Sequence, residues 1–232
     1  MPFLYSSLTS FVFAGPPQSF SHLKKVVIGG EAAIYVDSSV TCTPVETTEK
    51  GGDSGYDGPP SYDVCTLEFG QDTIKVLYTS GPSADPYFEV YALPKKGTKE
   101  EARKILGVGA TTLYIPNGKN VYAEGWCNTM FNERRKYTYT DAKFVEAKQP
   151  YLYVGIKTTV QPLGSEKKPL VLYADKSKTT RVATLPVGSQ IEVLLHEQKD
   201  WYLVRTSFGL VGWTNVPNGA YNTQIGVRFA GD

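Results

Sequence analysis

Residues 169–217, PLVLYADKSKTTRVATLPVGSQIEVLLHEQKDWYLVRTSFGLVGWTNVP, limit the fold more than any other stretch of this chain. Apolar residues recur there in short runs separated by Gly, Pro, Asp and Ser. Ile191, Val193 and, across a turn, Leu203 sit at a spacing of two, the period of a strand with one face turned to a core. Gly188 follows Pro186-Val187 where a turn has to begin, and Gly212 before Trp213 leaves room for a neighbouring backbone. The order is that of a small, self-contained β-barrel. So small a barrel exposes much of its surface, which gives Trp201 and Trp213 a large share of any burial.

Composition agrees with strands. Sixteen Tyr and ten Phe stand against two Met, and strands favour aromatic and β-branched residues. Twenty-two Gly and fifteen Pro imply many turns. With 41% hydrophobic and 20% charged residues in 232, the chain can bury a core as one large or two small domains. A net charge of +1 gives no global reason to expect nucleic acid. No apolar run approaches the roughly 20 residues that span a bilayer as a helix. Charge is nonetheless uneven: Glu31, Asp37, Glu46, Glu49, Asp53, Asp57 and Asp63 face Lys50 alone, whereas Arg134, Arg135 and Lys136 are consecutive. Such runs are either solvated loops or polar contacts to a partner, including a second copy of the chain.

The first residues, MPFLYSSLTSFVFAGPP, read as a signal-like segment with Val12-Phe13-Ala14 at a cleavage site, or as an apolar arm that docks on this domain or another subunit. Strand-like runs follow at 24–28 and 32–36, then a Gly/Pro/Asp-rich loop over 43–63. Asp53 and Asp57 lack the alternating carboxylates and closing Glu of a calcium loop. Cys42 and Cys65 flank that loop in similar settings, so strands leaving and re-entering it can place them opposite each other. A bridge there would contribute about 3 kcal/mol and suit an oxidising compartment. The Cys and His positions lack zinc spacing, and no metal or other cofactor is expected.

Two short helices are expected. Thr98 with Glu101 forms a capping box for 99–106, stopped by Gly107. Thr140-Asp141 would cap a second helix over 142–148, closed by Pro150. Residues 151–160 read as a strand, and 161–168 as the linker between domains. The expected organisation is an N-terminal arm at 1–23, a first domain at 24–165 and a second at 166–232.

Four blocks recur in the same order in the two halves. Residues 169–175 resemble 32–37, and 187–194 resemble 69–77 with one extra residue in the earlier copy. Trp201-Tyr202-Leu203-Val204 matches Tyr87-Phe88-Glu89-Val90, and residues 210–215 match 122–128. The later unit resembles a bacterial-type Src-homology-3 (SH3b) barrel: a first strand with Tyr173, a Leu-Pro-x-Gly-x-x-Ile-x-Val-Leu strand over 185–194, a Trp-Tyr-x-Val strand over 201–204, and a closing Gly-x-x-Gly-Trp over 209–213. The resemblance implies a mainly β fold of two small SH3-like barrels in tandem. The first would carry an enlarged acidic loop and an inserted segment, 94–118, with a short helix.

The resemblance also implies a non-catalytic binding module at the cell envelope, outside the cytoplasm, that recognises cell-wall peptide or glycan. Tyr173, Trp201, Tyr202 and Trp213 are the candidate ligand-binding set. Trp201 and Trp213 are equally candidates for the core, and Tyr173 and Tyr202 for an edge open to solvent. An enzyme is not expected. Cys127 and His196 would have to build a thiol site from two separate units, and neither a Gly-x-Ser-x-Gly elbow nor a phosphate loop is present. The alternative is a structural subunit of a surface layer, virion or other complex, with the N-terminal arm, the inserted segment and the strand-like tail over 220–229 as contact elements.

Overall fold

The computed structural model describes residues 17–27, 32–44, 61–80, 85–126, 129–197, 200–216 and 223–227. Among them the chain is mainly β, as expected, and the one helical element is a single 3-10 turn at Gln18–Phe20. The strands of the first half are β1 (Lys24–Val27), β2 (Ala33–Val36), β3 (Cys42–Pro44), β4 (Ser61–Phe69), β5 (Asp72–Ser80) and β6 (Pro86–Ala92). Next come β7 (Arg103–Gly109), β8 (Thr112–Asn117), β9 (Asn120–Gly125), β10 (Glu133–Thr140) and β11 (Lys143–Glu146). The last are β12 (Leu152–Thr159), β13 (Leu170–Tyr173), β14 (Arg181–Leu185), β15 (Gln190–Glu197), β16 (Trp201–Thr206) and β17 (Val211–Asn215).

These strands form three sheets, in the orders β1-β2-β8-β9-β10-β11, β3-β4-β5-β6-β7 and β12-β15-β16-β17-β13-β14. None closes into a barrel among the described residues. The first two share one core, where Ile34, Leu113, Ile115 and Val121 meet Leu67, Phe69, Ile74, Phe88 and Val90. The whole five-stranded sheet lies in sequence between β2 and β8, which pair in parallel. Buried from both faces, β8 reads Thr-Leu-Tyr-Ile without alternation, the pattern expected of an interior strand. The third sheet wraps a separate core of Val154, Val160, Leu170, Leu172, Ile191, Val193, Tyr202 and Val204.

Both expected helices are strands or turns instead. Thr98 caps nothing: its hydroxyl and its backbone N–H both donate to the Lys95 carbonyl, at 2.9 and 3.0 Å, closing a turn. Residues 103–109 pair with β6 and alternate Leu106 and Val108 inward. A two-turn helix cannot hold itself in water, whereas the edge of β6 offers a full ladder. Asp141 and Ala142, at φ of 53° and 56°, form the tight turn joining β10 to β11 where a second helix was expected. The cap-like Thr-Asp pair is hairpin chemistry, since Asp tolerates the left-handed region.

Strand pairing also redraws the boundary at 165. β12 pairs with β15, so residues 161–168 connect two strands of one sheet. The recurring blocks do not share a strand order either. β13, β15, β16 and β17 lie side by side, whereas β2 and β9 flank β8 and sit in a different sheet from β5 and β6. Of the strand-like tail over 220–229, residues 223–227 are described, and they pack into the C-terminal half. Gln161 donates to the Gln224 carbonyl and Met130 to that of Val227, at 2.8 and 3.1 Å, while Ile225 and Val227 are fully buried. The arm before residue 17, the acidic loop with Asp53 and Asp57, and Cys127 lie outside the described residues.

Gly212 has the close approach that its sequence position suggests. A Cβ there would stand 2.9 Å from the Leu172 Cβ and 3.0 Å from the Tyr173 carbonyl oxygen. Gly212→Ala should push β13 off β17 and lower stability by about 1–3 kcal/mol, measurable as a fall in the urea midpoint. An unchanged midpoint would show that the β13–β17 contact has room for a methyl group.

Candidate functional site

The third sheet has an inner face and an outer face, and a bulge decides which residues occupy each. From Ile191, strict alternation would carry Val193 and Leu195 inward. The register instead steps between Val193 and Leu195, leaving Leu194 without a cross-strand partner on β16. Beyond this bulge His196 turns inward and Leu195 outward. On the adjoining β12, Gly155 takes up the matching irregularity at φ +68°, a conformation that L side chains rarely adopt.

The inner face stacks His196 on Tyr202, with ring centroids 4.5 Å apart, and sets Phe131 edge-on to His196. Tyr202 is fully buried. It therefore leaves the candidate ligand-binding set, because a ring in the core cannot touch a ligand. Leu203, placed in the core by its spacing, instead faces outward opposite Leu195 and Trp213. Because β16 begins its alternation with Trp201 outward, Tyr202, Val204 and Thr206 take the inward positions.

The outer face carries a row of side chains running across five strands. Tyr153 on β12 stands opposite Leu195, Leu195 opposite Leu203, Leu203 opposite Trp213, and Trp213 opposite Tyr173. At about 4.8 Å per strand, the row spans roughly 19 Å. A second row, Glu197–Trp201–Asn215, lies beside it. Three of the four candidate residues, Tyr173, Trp201 and Trp213, are thus brought onto one half-buried surface. Both Trp residues are partly exposed, and neither is an interior residue.

Sequence reasoning missed Tyr151 and Tyr153, which are 40% and 58% exposed. The signal was available, because Tyr151-Leu152-Tyr153-Val154 alternates aromatic with aliphatic. Reading those residues as the end of the first half detached them from the second. Two lysines on the turn between β13 and β14 lie over the rings. The Lys176 ammonium is 4.6 Å from the Trp213 ring centre and 5.9 Å from that of Tyr151, and Lys178 is 5.3 Å from that of Trp201. Lys176 also pairs with Glu197. Asp175 shapes the turn by accepting the Ser177 backbone N–H at 2.8 Å. Such an aromatic platform can hold an extended chain by ring contact and present polar groups along it.

A second aromatic surface belongs to the first sheet. Phe20 stacks on Tyr114 at 4.8 Å and meets Tyr122 at 5.0 Å, bordering a cavity of about 350 Å³. The neighbouring basic run is tied up within the chain. Arg134 pairs with Glu124 at 2.7 Å, Arg135 pairs with Glu133 and Glu146, and Lys136 lies over Tyr122. Burial, with Glu124 beside it, holds the Tyr114 hydroxyl well above its usual value. An apolar tip formed by Phe208, Leu210 and Val211 at the β16–β17 hairpin is a third exposed feature.

Cys42 and Cys65 are free thiols on paired strands, displaced by two residues: Cys42 stands opposite Leu67, and Cys65 opposite Pro44. A hydrogen bond between them lowers the Cys42 thiol from its usual value, and the same bond together with burial raises Cys65. Among the described residues no group of three His, Cys, Asp or Glu side chains is arranged to hold a metal ion. No helix among them is long and apolar enough to cross a membrane. No protein-family model, curated protein or solved structure matches the chain.

Assigning Tyr202 to the core and Tyr153 to the face makes opposite demands on stability. Tyr202→Ala should cost about 3–5 kcal/mol, as for other large core aromatics. Tyr153→Ala should change stability by no more than about 0.5 kcal/mol. Urea unfolding followed by tryptophan fluorescence reads both, and equal losses would contradict the division of faces.

Proposed function

We propose that this chain is a non-catalytic binding protein of the bacterial cell envelope that holds an extended cell-wall peptide or glycan against the outer face of its C-terminal sheet. The observation that carries this reading is the cross-strand row Tyr153–Leu195–Leu203–Trp213–Tyr173, with Trp201 and Tyr151 beside it. Apolar side chains at that density on a solvent-facing sheet are costly for a free monomer and suit a ligand surface. The SH3b relationship is proposed for the C-terminal unit, where the four motif-bearing strands β13, β15, β16 and β17 are neighbours. Extending it to a tandem pair rests on the recurring sequence blocks alone.

The test is sedimentation with purified bacterial cell wall, paired with light scattering of the free protein. The wild-type chain should pellet with wall as a monomer. Tyr153→Ala and Tyr173→Ala should each weaken retention by about tenfold, the loss typical of a hot-spot ring. Full retention by both variants would remove the outer face from consideration. A second reading, a subunit of a larger assembly, is favoured by the exposed Phe208–Val211 tip; an oligomer that ignores wall would select it.

An oxidising envelope compartment would also join the hydrogen-bonded thiols of Cys42 and Cys65. Protein recovered from that compartment should then show no reactive thiol at either position on alkylation mass spectrometry. Reduction should cost about 3 kcal/mol of stability. Full alkylation of both residues before reduction would exclude the bridge.

A further inference from the structure

The turn between β13 and β14 places a cation inside the outer face, and that cation indicates what the face can recognise. Lys176 Nζ lies 4.6 Å from the Trp213 ring centre and 5.9 Å from the Tyr151 ring centre, and it pairs with the Glu197 carboxylate. Tyr151 and Trp213 are adjoining rings tilted at 39° with centroids 5.9 Å apart, the ammonium lies over both, and Glu197 supplies the negative charge. Two aromatic faces and a carboxylate around one ammonium form a receptor for an alkylammonium group. The lysine comes from an exposed turn, and its own side chain retains 34% of its accessible surface. It is neither locked in the core nor required to close the sheet.

We infer that the Tyr151–Trp213–Glu197 cluster is an ammonium subsite of the outer face, and that Lys176 is an internal occupant which an amine-bearing ligand displaces. The inference rests on the outer face being the binding surface and specifies its ligand: an extended chain carrying a primary amine, such as a peptide with a free lysine-type side chain. An intramolecular occupant lowers apparent affinity by the fraction of molecules in which the subsite is filled. Removing it should therefore strengthen binding of a matching ligand, which is the reverse of what loss of a direct contact does. Lys178, over Trp201, has no acidic partner among the described residues and is not part of the subsite.

The probe is a fluorescein-labelled peptide, Gly-Gly-Lys-Gly-Gly-amide with a capped N-terminus, compared with the same peptide acetylated at the lysine Nε. Anisotropy is recorded at constant ionic strength with the full chain. Lys176→Ala should bind the free-amine peptide about tenfold more tightly than the wild type, and should prefer it to the acetylated form. Adding Glu197→Gln or Tyr151→Ala to Lys176→Ala should abolish that preference, and circular dichroism of each variant checks the fold. Equal binding of the two peptides to Lys176→Ala, or no gain over the wild type, overturns the ammonium subsite. If wall retention still depends on Tyr153 and Tyr173 in that event, the binding face survives without this ligand class. If wall retention is also independent of those tyrosines, both proposals fall together.

Discussion

The bulge between Val193 and Leu195 is the constraint on which the C-terminal half depends. A strand has two faces, and one inserted residue exchanges them for everything downstream. Here the exchange sends His196 onto Tyr202 in the core and brings Leu195 out to meet Tyr153 and Leu203. The exposed aromatic row exists because of that step. Without it, Leu195 would lie inside and a histidine would break the row at its centre. Gly155 on the neighbouring strand lets β12 follow the irregularity without a strained side chain.

Electrostatics in the first half serve the fold. The consecutive Arg134, Arg135 and Lys136 suggest a basic patch in sequence, yet the two arginines meet acids on β10 itself and on the adjacent strands. Arg134 reaches Glu124, and Arg135 reaches Glu133 and Glu146, so their charges are largely neutralised locally. Lys75 similarly pairs at 2.8 Å with Asp63, at the inner end of the acidic stretch, where the carboxylate is nearly buried. Breaking the Lys75–Asp63 pair would leave a nearly buried carboxylate without its cation, a costly desolvated charge. The lysines over Trp213 and Trp201 differ: they ride on an exposed turn and cover a surface otherwise open to solvent.

Much of the fold class was legible because strand periodicity and turn residues are local signals. Gly188, at φ 90°, and Gly212 occupy the turn and the close approach that their neighbours imply. The two expected helices show how local signals mislead. Thr98-x-x-Glu101 and Thr140-Asp141 carry cap chemistry, but caps and turns use the same oxygen acceptors, and the adjacent strand edges decided between them. The aromatic site was half legible. Tyr173, Trp201 and Trp213 could be singled out by type and spacing, whereas Tyr202 was separable from Trp201 only once β16 had a face.

Sequence alone determined that this chain would be built from short strands, with Gly and Pro at its turns and aromatics concentrated near residues 151–153, 173, 201–202 and 213. Those are properties of single residues and their nearest neighbours. Tertiary structure decided which strands pair, that β12 joins the later sheet, that β2 meets β8 in parallel, and that Ile225 and Val227 enter the C-terminal core. Pairing depends on contacts between residues far apart in the chain, where each face must find matching surface and each backbone group a partner. The aromatic platform is a product of that pairing: five strands had to be placed in order before their side chains could form one row.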